Sequence, residues 1–206
     1  MDLAHPYTAL CSPLEGGALS VLAGTTRPMT GREIARLMGR SSHSGVLIAL
    51  NRLADHGVVE REEAGRALLF TLNREHLVAP AVEVLANMRT EVIDRIRRAV
   101  ESWEIAAVHV SLFGSFARGE GGIDSDIDLL VVRPKKVGRE NPHWREQVDL
   151  LARQVRRWTG NPAGIVEVGK EEVARLRKEE PPILDELRSD AIAVIGVETR
   201  ALLGDS

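Results

Sequence analysis

The chain has 206 residues and a mass of 22.6 kDa, enough for one large domain or two small ones, each with a core of its own. Its 44% apolar and 28% charged residues exclude a disordered or fibrous chain, and a net charge of -3 excludes a global attraction to nucleic acid, so any such binding needs a local patch. No run approaches the roughly 18 to 20 apolar residues that cross a bilayer, and the opening Met1-Asp2-Leu3-Ala4-His5 has no basic segment leading into an apolar one. A cytoplasmic protein with no membrane partner is therefore expected. The single cysteine, Cys11, leaves no internal disulfide and no cysteine-based metal site.

In chain order, residues 15–25 suit a helix with Ala18, Val21 and Leu22 at helical spacing, and Thr30-Gly31-Arg32-Glu33 has the form of a capping box opening a short helix, Thr30 to Met38. A turn, Gly39-Arg40-Ser41-Ser42, leads to a third helix from His43 to His56. Val46, Ala49, Leu50 and Leu53 lie on one face of it, and Gly57 stops it. Val58–Arg61 and Ala67–Thr71 then read as two strands joined through Ala64-Gly65. Three helices closed by a two-stranded hairpin over residues 15–75 resemble a winged helix-turn-helix domain.

Residues 81–103 repeat Val82, Leu85, Met88, Val92, Ile96 and Val100 at steps of three or four, the stripe of one connector helix of about 20 residues. Strand patterns follow at Ala106–Phe113, Ile127–Val132, Gly164–Val168 and Ala191–Ile195, separated by helical segments near 141–158 and 170–178. The fold expected is α/β (α+β): an N-terminal winged helix domain over 1–79, a connector helix over 80–103, and a mixed β-sheet domain over 104–206.

The stretch from Gly114 to Val132 carries the chemistry. Side chains alternate along a strand, so Asp126 and Asp128 point to the same side about 6 to 7 Å apart. Two half-buried carboxylates so placed repel each other, and hard Mg²⁺, which favours one or two carboxylates plus substrate phosphates, relieves the repulsion. Ahead of them Gly114-Ser115 follows a strand and opens a helix or turn, where backbone N–H groups and the serine hydroxyl can hold a phosphate. These two elements, with ten residues between Ser115 and Asp126 and an apolar strand leaving Asp128, resemble the signature of the DNA polymerase beta-like nucleotidyltransferase superfamily in its minimal form, over roughly residues 104–200.

That resemblance implies a third carboxylate on a later strand, and Glu167 is the candidate, expected to face the side of Asp126 and Asp128 while Val166 and Val168 face the core. It further implies two Mg²⁺ or Mn²⁺ ions on Asp126, Asp128 and Glu167, with Gly114, Ser115 and Arg118 on the phosphates of a nucleoside triphosphate. The implied reaction moves a nucleoside monophosphate, AMP favoured, to a hydroxyl of a protein or RNA, as in minimal nucleotidyltransferases of toxin-antitoxin systems. The other reading is a DNA-binding regulator whose second domain senses nucleotide or is inactive. Its candidate DNA contacts are Ser42, His43, Ser44, Asn51, Arg52 and Arg66, on the third helix and the wing. Residues 1–80 balance eight basic against eight acidic side chains, which weakens counterion release. A homodimer is expected only from winged helix domains in general.

Overall fold

The computed structural model describes residues 1–39, 41–179 and 181–204, and these fall into two compact units: His5–Arg89, and Met1–Ala4 together with the chain from Thr90 on.

The His5–Arg89 unit begins with a 3₁₀ turn and α1 (Pro13–Ala23), opened by Ser12, whose hydroxyl accepts from Glu15 N–H. A two-residue strand, β1 (Met29–Thr30), leads into α2 (Gly31–Leu37), where Thr30 and Glu33 form the reciprocal capping box. Then come α3 (His43–Asp55), β2 (Val59–Ala64) and β3 (Ala67–Leu72). Val46, Ala49, Leu50 and Leu53 form the buried face of α3 as their spacing predicts. Arg40, in the turn expected before α3, lies outside the described residues. The sheet has three strands in the order β1-β3-β2, all antiparallel, rather than two. A strand as short as β1 has no periodicity to read, and only its pairing of Met29 with Phe70 and Thr30 with Leu69 defines it.

The connector stripe belongs to two helices, α4 (Ala79–Ala86) and α5 (Met88–Glu101), and not to one. Asn87 ends α4 with its backbone N–H on the Glu83 carbonyl at 3.1 Å and its side-chain amide on the same carbonyl at 2.9 Å, the local competition for backbone groups that makes asparagine a poor interior helix residue. Val82 packs into the core of the N-terminal unit, whereas Val92, Ile96 and Val100 pack into that of the other. The stripe runs through the break because both helices have a face to bury.

The second unit is built on a four-stranded sheet of β4 (His109–Phe113), β5 (Ile127–Arg133), β6 (Ala163–Gly169) and β7 (Ile192–Ile195), in the order β6-β5-β4-β7. β5 is antiparallel to β4 and parallel to β6, and β4 is antiparallel to β7. Both faces are covered, so β5 is almost continuously apolar. Ile127, Leu129 and Val131 point into a core with α5 and α7 (Pro142–Thr159). Leu130 and Val132 point the other way, against Val173 of α8 (Glu172–Glu179), Leu184 and Leu187 of α9 (Ile183–Ser189), and Leu203 of α10 (Thr199–Leu203). Leu129 is fully buried, and Leu129→Ala is expected to destabilise this unit by about 2–5 kcal/mol in denaturant unfolding.

Candidate active site

Asp128 is the second residue of β5, paired with Phe113 of β4 and Gly164 of β6. It lies on the face of Leu130 and Val132, at the strand end from which β4 hands the chain to α6 (Gly114–Arg118). Its carboxylate is set between two glycines. A Cβ at Gly114 would overlap Asp128 Oδ2, and a Cβ at Gly164 would stand 2.8 Å from Asp128 Oδ1 and 4.0 Å from Asp126 Cβ. Gly114 also has φ of +70°, the left-handed region that side chains disfavour. Gly114 is expected to meet phosphate, and the Asp128 carboxylate already occupies the space a side chain there would need.

Asp126 and Asp128 flank the same glycine and therefore share one side, as the two-residue spacing predicts. Burial holds the Asp128 carboxyl above the usual carboxylate range, and the negative charges of Asp126 and then of Glu186 on α9 push it further. Among the described residues no group of three or more His, Cys, Asp or Glu side chains is arranged to hold a metal ion. Two carboxylates with an uncompensated charge nonetheless fit the donor set of Mg²⁺, which completes its shell with water and phosphate oxygens rather than with an all-protein cage.

Glu167 does not join them. It pairs with Val131, three residues along from Asp128, and so faces the side of Ile127, Leu129 and Val131. There it forms an ion pair with Arg133, the two side chains only 11% and 9% exposed, and Arg133 also donates from Nε to the Val137 carbonyl at 2.7 Å. The β6 residues on the Asp128 face are Gly164, Val166 and Val168. Glu186, on the short helix α9, is a further carboxylate beside Asp126 whose charge reaches Asp128, and no motif in the sequence singles it out.

Ser115 Oγ lies 3.5 Å from where a Cβ of Gly121 would be, facing the turn that leads to Asp126. Arg118, one turn on, is paired with Glu120 at 2.9 Å and with Asp190 at the end of α9 at 3.2 Å.

In the N-terminal unit the candidate DNA contacts divide. Ser42 caps α3 through Gly45 N–H, Asn51 accepts from Arg61 at 2.9 Å, and Arg52 pairs with Glu15 at 3.0 Å. His43 and Arg66 line an open groove with Arg32 and Leu47, and Ser44 is exposed on α3.

Two outcomes follow. Because Asp128 has its carboxyl raised in the folded state, ionising it costs stability as pH rises above its ordinary value of 3.8, and the penalty is complete above the folded value. Asp128→Asn is therefore expected to raise the Tm of metal-free protein at pH 7, by a margin that shrinks as the pH falls toward 4 in calorimetry. Glu167→Gln breaks a nearly buried ion pair and is expected to cost about 3–5 kcal/mol in urea unfolding, while a calorimetric Mn²⁺ titration of the folded variant stays unchanged.

The family model "Nucleotidyltransferase domain" matches residues 93–204. Among solved structures the chain is similar to a toxin-antitoxin crystallised with AMP-PNP, at 16% identity and a TM-score of 0.38, and to a mutant of the toxin-antitoxin MntA-HpeT, at 14% and 0.38. Each likeness covers 54% of this chain and 80% of the other. No curated protein matches. With more than half of its length matched by the family model, the chain belongs to the nucleotidyltransferase domain family and is an enzyme of the transferase class.

Proposed function

We propose that this protein is a metal-dependent nucleotidyltransferase that moves a nucleoside monophosphate, AMP favoured, from a nucleoside triphosphate to a hydroxyl of a macromolecular acceptor, protein or RNA, in a toxin-antitoxin-like pairing. The observation that carries the reading is the Asp126–Asp128 pair set against Gly114 and Gly164, with the ionised form of Asp128 disfavoured until a cation arrives. Asp126 and Asp128 would hold Mg²⁺ or Mn²⁺. Such an ion, when bound, neutralises triphosphate charge and stabilises the attacking and leaving oxygens. β6 offers no carboxylate on the face of Asp128, so the second of the two ions that the motif implies would lack a ligand from that strand.

The chain's own groups do the rest. Gly114 and Ser115 present backbone N–H groups and a hydroxyl to the β- and γ-phosphates. Arg118 meets the leaving pyrophosphate after exchanging a carboxylate partner, Glu120 or Asp190, for phosphate oxygen. The acceptor hydroxyl then attacks the α-phosphorus in line and gives its proton to solvent, the bond from the α-phosphorus to the bridging oxygen breaks, and pyrophosphate leaves with that electron pair.

The N-terminal unit, in which α1, α2 and α3 are followed by the β2–β3 hairpin, we read as a winged helix. The groove of Arg32, His43 and Arg66 favours DNA as its ligand. Against this, Glu60, Glu62 and Glu63 are exposed on the wing, Ile48 is 71% exposed on α3, and Asn51 and Arg52 are already engaged. An apolar residue at the centre of that face suits a protein surface better than a phosphate backbone, so we assign the unit to partner recognition, with the DNA-binding regulator as the second reading.

The test is incubation of wild type and the Asp126→Asn/Asp128→Asn double variant with each α-labelled nucleoside triphosphate, Mg²⁺ and a host-type lysate. Wild type should label a protease- or nuclease-sensitive band, most strongly from ATP, and the double variant should lose at least about a hundredfold of that rate, on the order of 3 kcal/mol of transition-state stabilisation. Equal labelling by both would overturn the assignment.

A further inference from the structure

The turn that delivers Asp126 has little to hold itself in place. Gly121-Gly122-Ile123-Asp124-Ser125 contains two glycines, its Ile123 side chain is 68% exposed, and its internal bonds are Gly122 N–H to Ser125 Oγ at 2.9 Å and Ser125 N–H to the Gly122 carbonyl at 3.3 Å. Such a segment is costly to order, yet the position of Asp126 depends on where it ends.

What orders it comes from elsewhere in the chain. Asn161, fully buried just past the end of α7, points its amide Nδ2 at three carbonyls of the turn: Gly122 at 3.2 Å, Ile123 at 3.1 Å and Ser125 at 2.9 Å. Its own backbone is fixed in turn, N–H to Thr159 Oγ1 at 3.1 Å, and that hydroxyl donates to the Val155 carbonyl at 2.8 Å. From the other side Leu3, 2% exposed in the sheet core, lies against Gly121, and Ala4 N–H donates to the Gly121 carbonyl at 2.7 Å. One residue after Asn161, the Pro162 carbonyl accepts from Ile127 N–H at 2.9 Å, the first rung joining β6 to β5 between the two aspartates.

We propose that Asn161 is the positioning residue of the metal site: by gathering the carbonyls of Gly122, Ile123 and Ser125 it sets where the chain enters β5, and so holds Asp126 beside Asp128 at the spacing a divalent cation needs. The inference rests on the metal-dependent reading above and extends it to a residue that touches neither metal nor substrate. Asparagine suits the place because its amide is a pure donor toward the carbonyls, while its Oδ1 accepts from the amino group of Met1 at 2.9 Å. Aspartate, of the same size, would turn carboxylate oxygens toward three carbonyl oxygens.

The test measures Mn²⁺ affinity by the electron paramagnetic resonance signal of the free ion, on full-length protein at a temperature where each variant is folded by circular dichroism. Asn161→Ala is expected to weaken Mn²⁺ binding at least tenfold. Ser125→Ala, which removes one bond from the turn and leaves the core alone, is expected to weaken it about threefold. Val155→Ala, a cavity in the same core that lowers Tm comparably, should leave it unchanged, which separates positioning from general loss of stability. Mn²⁺ affinity within twofold of wild type in both Asn161→Ala and Ser125→Ala overturns the inference; if Asn161→Ala does not fold, Ser125→Ala decides alone. Wild type that binds no Mn²⁺ overturns the metal-dependent reading itself, and the inference falls with it.

Discussion

The arrangement depends on one carboxylate placed where it is uncomfortable. Asp128 is the one half-buried residue of an otherwise buried strand, and the backbone approaches its oxygens so closely on two sides that a methyl group on either neighbour would collide with them. Burial, Asp126 and Glu186 all disfavour its charge. A protein selected for stability alone would place a neutral residue there. An ionised pair held in that position fits a task that supplies positive charge, and a metal with a triphosphate supplies it.

The rest of the unit serves this placement. Strict alternation along β5 gives Ile127, Leu129 and Val131 to one core and Leu130 and Val132 to the other, so the strand cannot slip by one residue without burying Asp128 in a core or exposing a row of apolar side chains. Gly114, at the start of α6, and Gly164, on β6, keep clear the space that Asp128 fills. The Arg133–Glu167 pair, on the reverse face, ties the far end of β5 to β6 and to the segment that follows it.

How much of this was legible in the sequence differed from residue to residue. The period of two made the shared side of Asp126 and Asp128 readable, and the spacing back to Gly114-Ser115 made the family resemblance readable, because both are local. Glu167 lies on the other face for a physical reason: the alternation of Val166, Glu167 and Val168 separates two faces without saying which is which, and that follows from the register of Asp128 against Gly164, which no local pattern encodes. Arg133 offered a clue, since an arginine ending an apolar strand needs a carboxylate on its own face. The connector read as one helix because α4 and α5 share a stripe while burying it in separate cores, and Asn87 alone marked the break. The bonds of Asn161 to a turn more than 30 residues earlier leave no trace in spacing at all.

The central claim, that the site is a pair of carboxylates strained until a cation joins them, is tested most directly by following the side-chain carboxyl carbon of Asp128 by NMR through a pH titration, with and without Mg²⁺. The account predicts a midpoint above the ordinary carboxylate range in metal-free protein and a clear fall when Mg²⁺ is present. A midpoint at the ordinary value of 3.8 that Mg²⁺ leaves unmoved would contradict it.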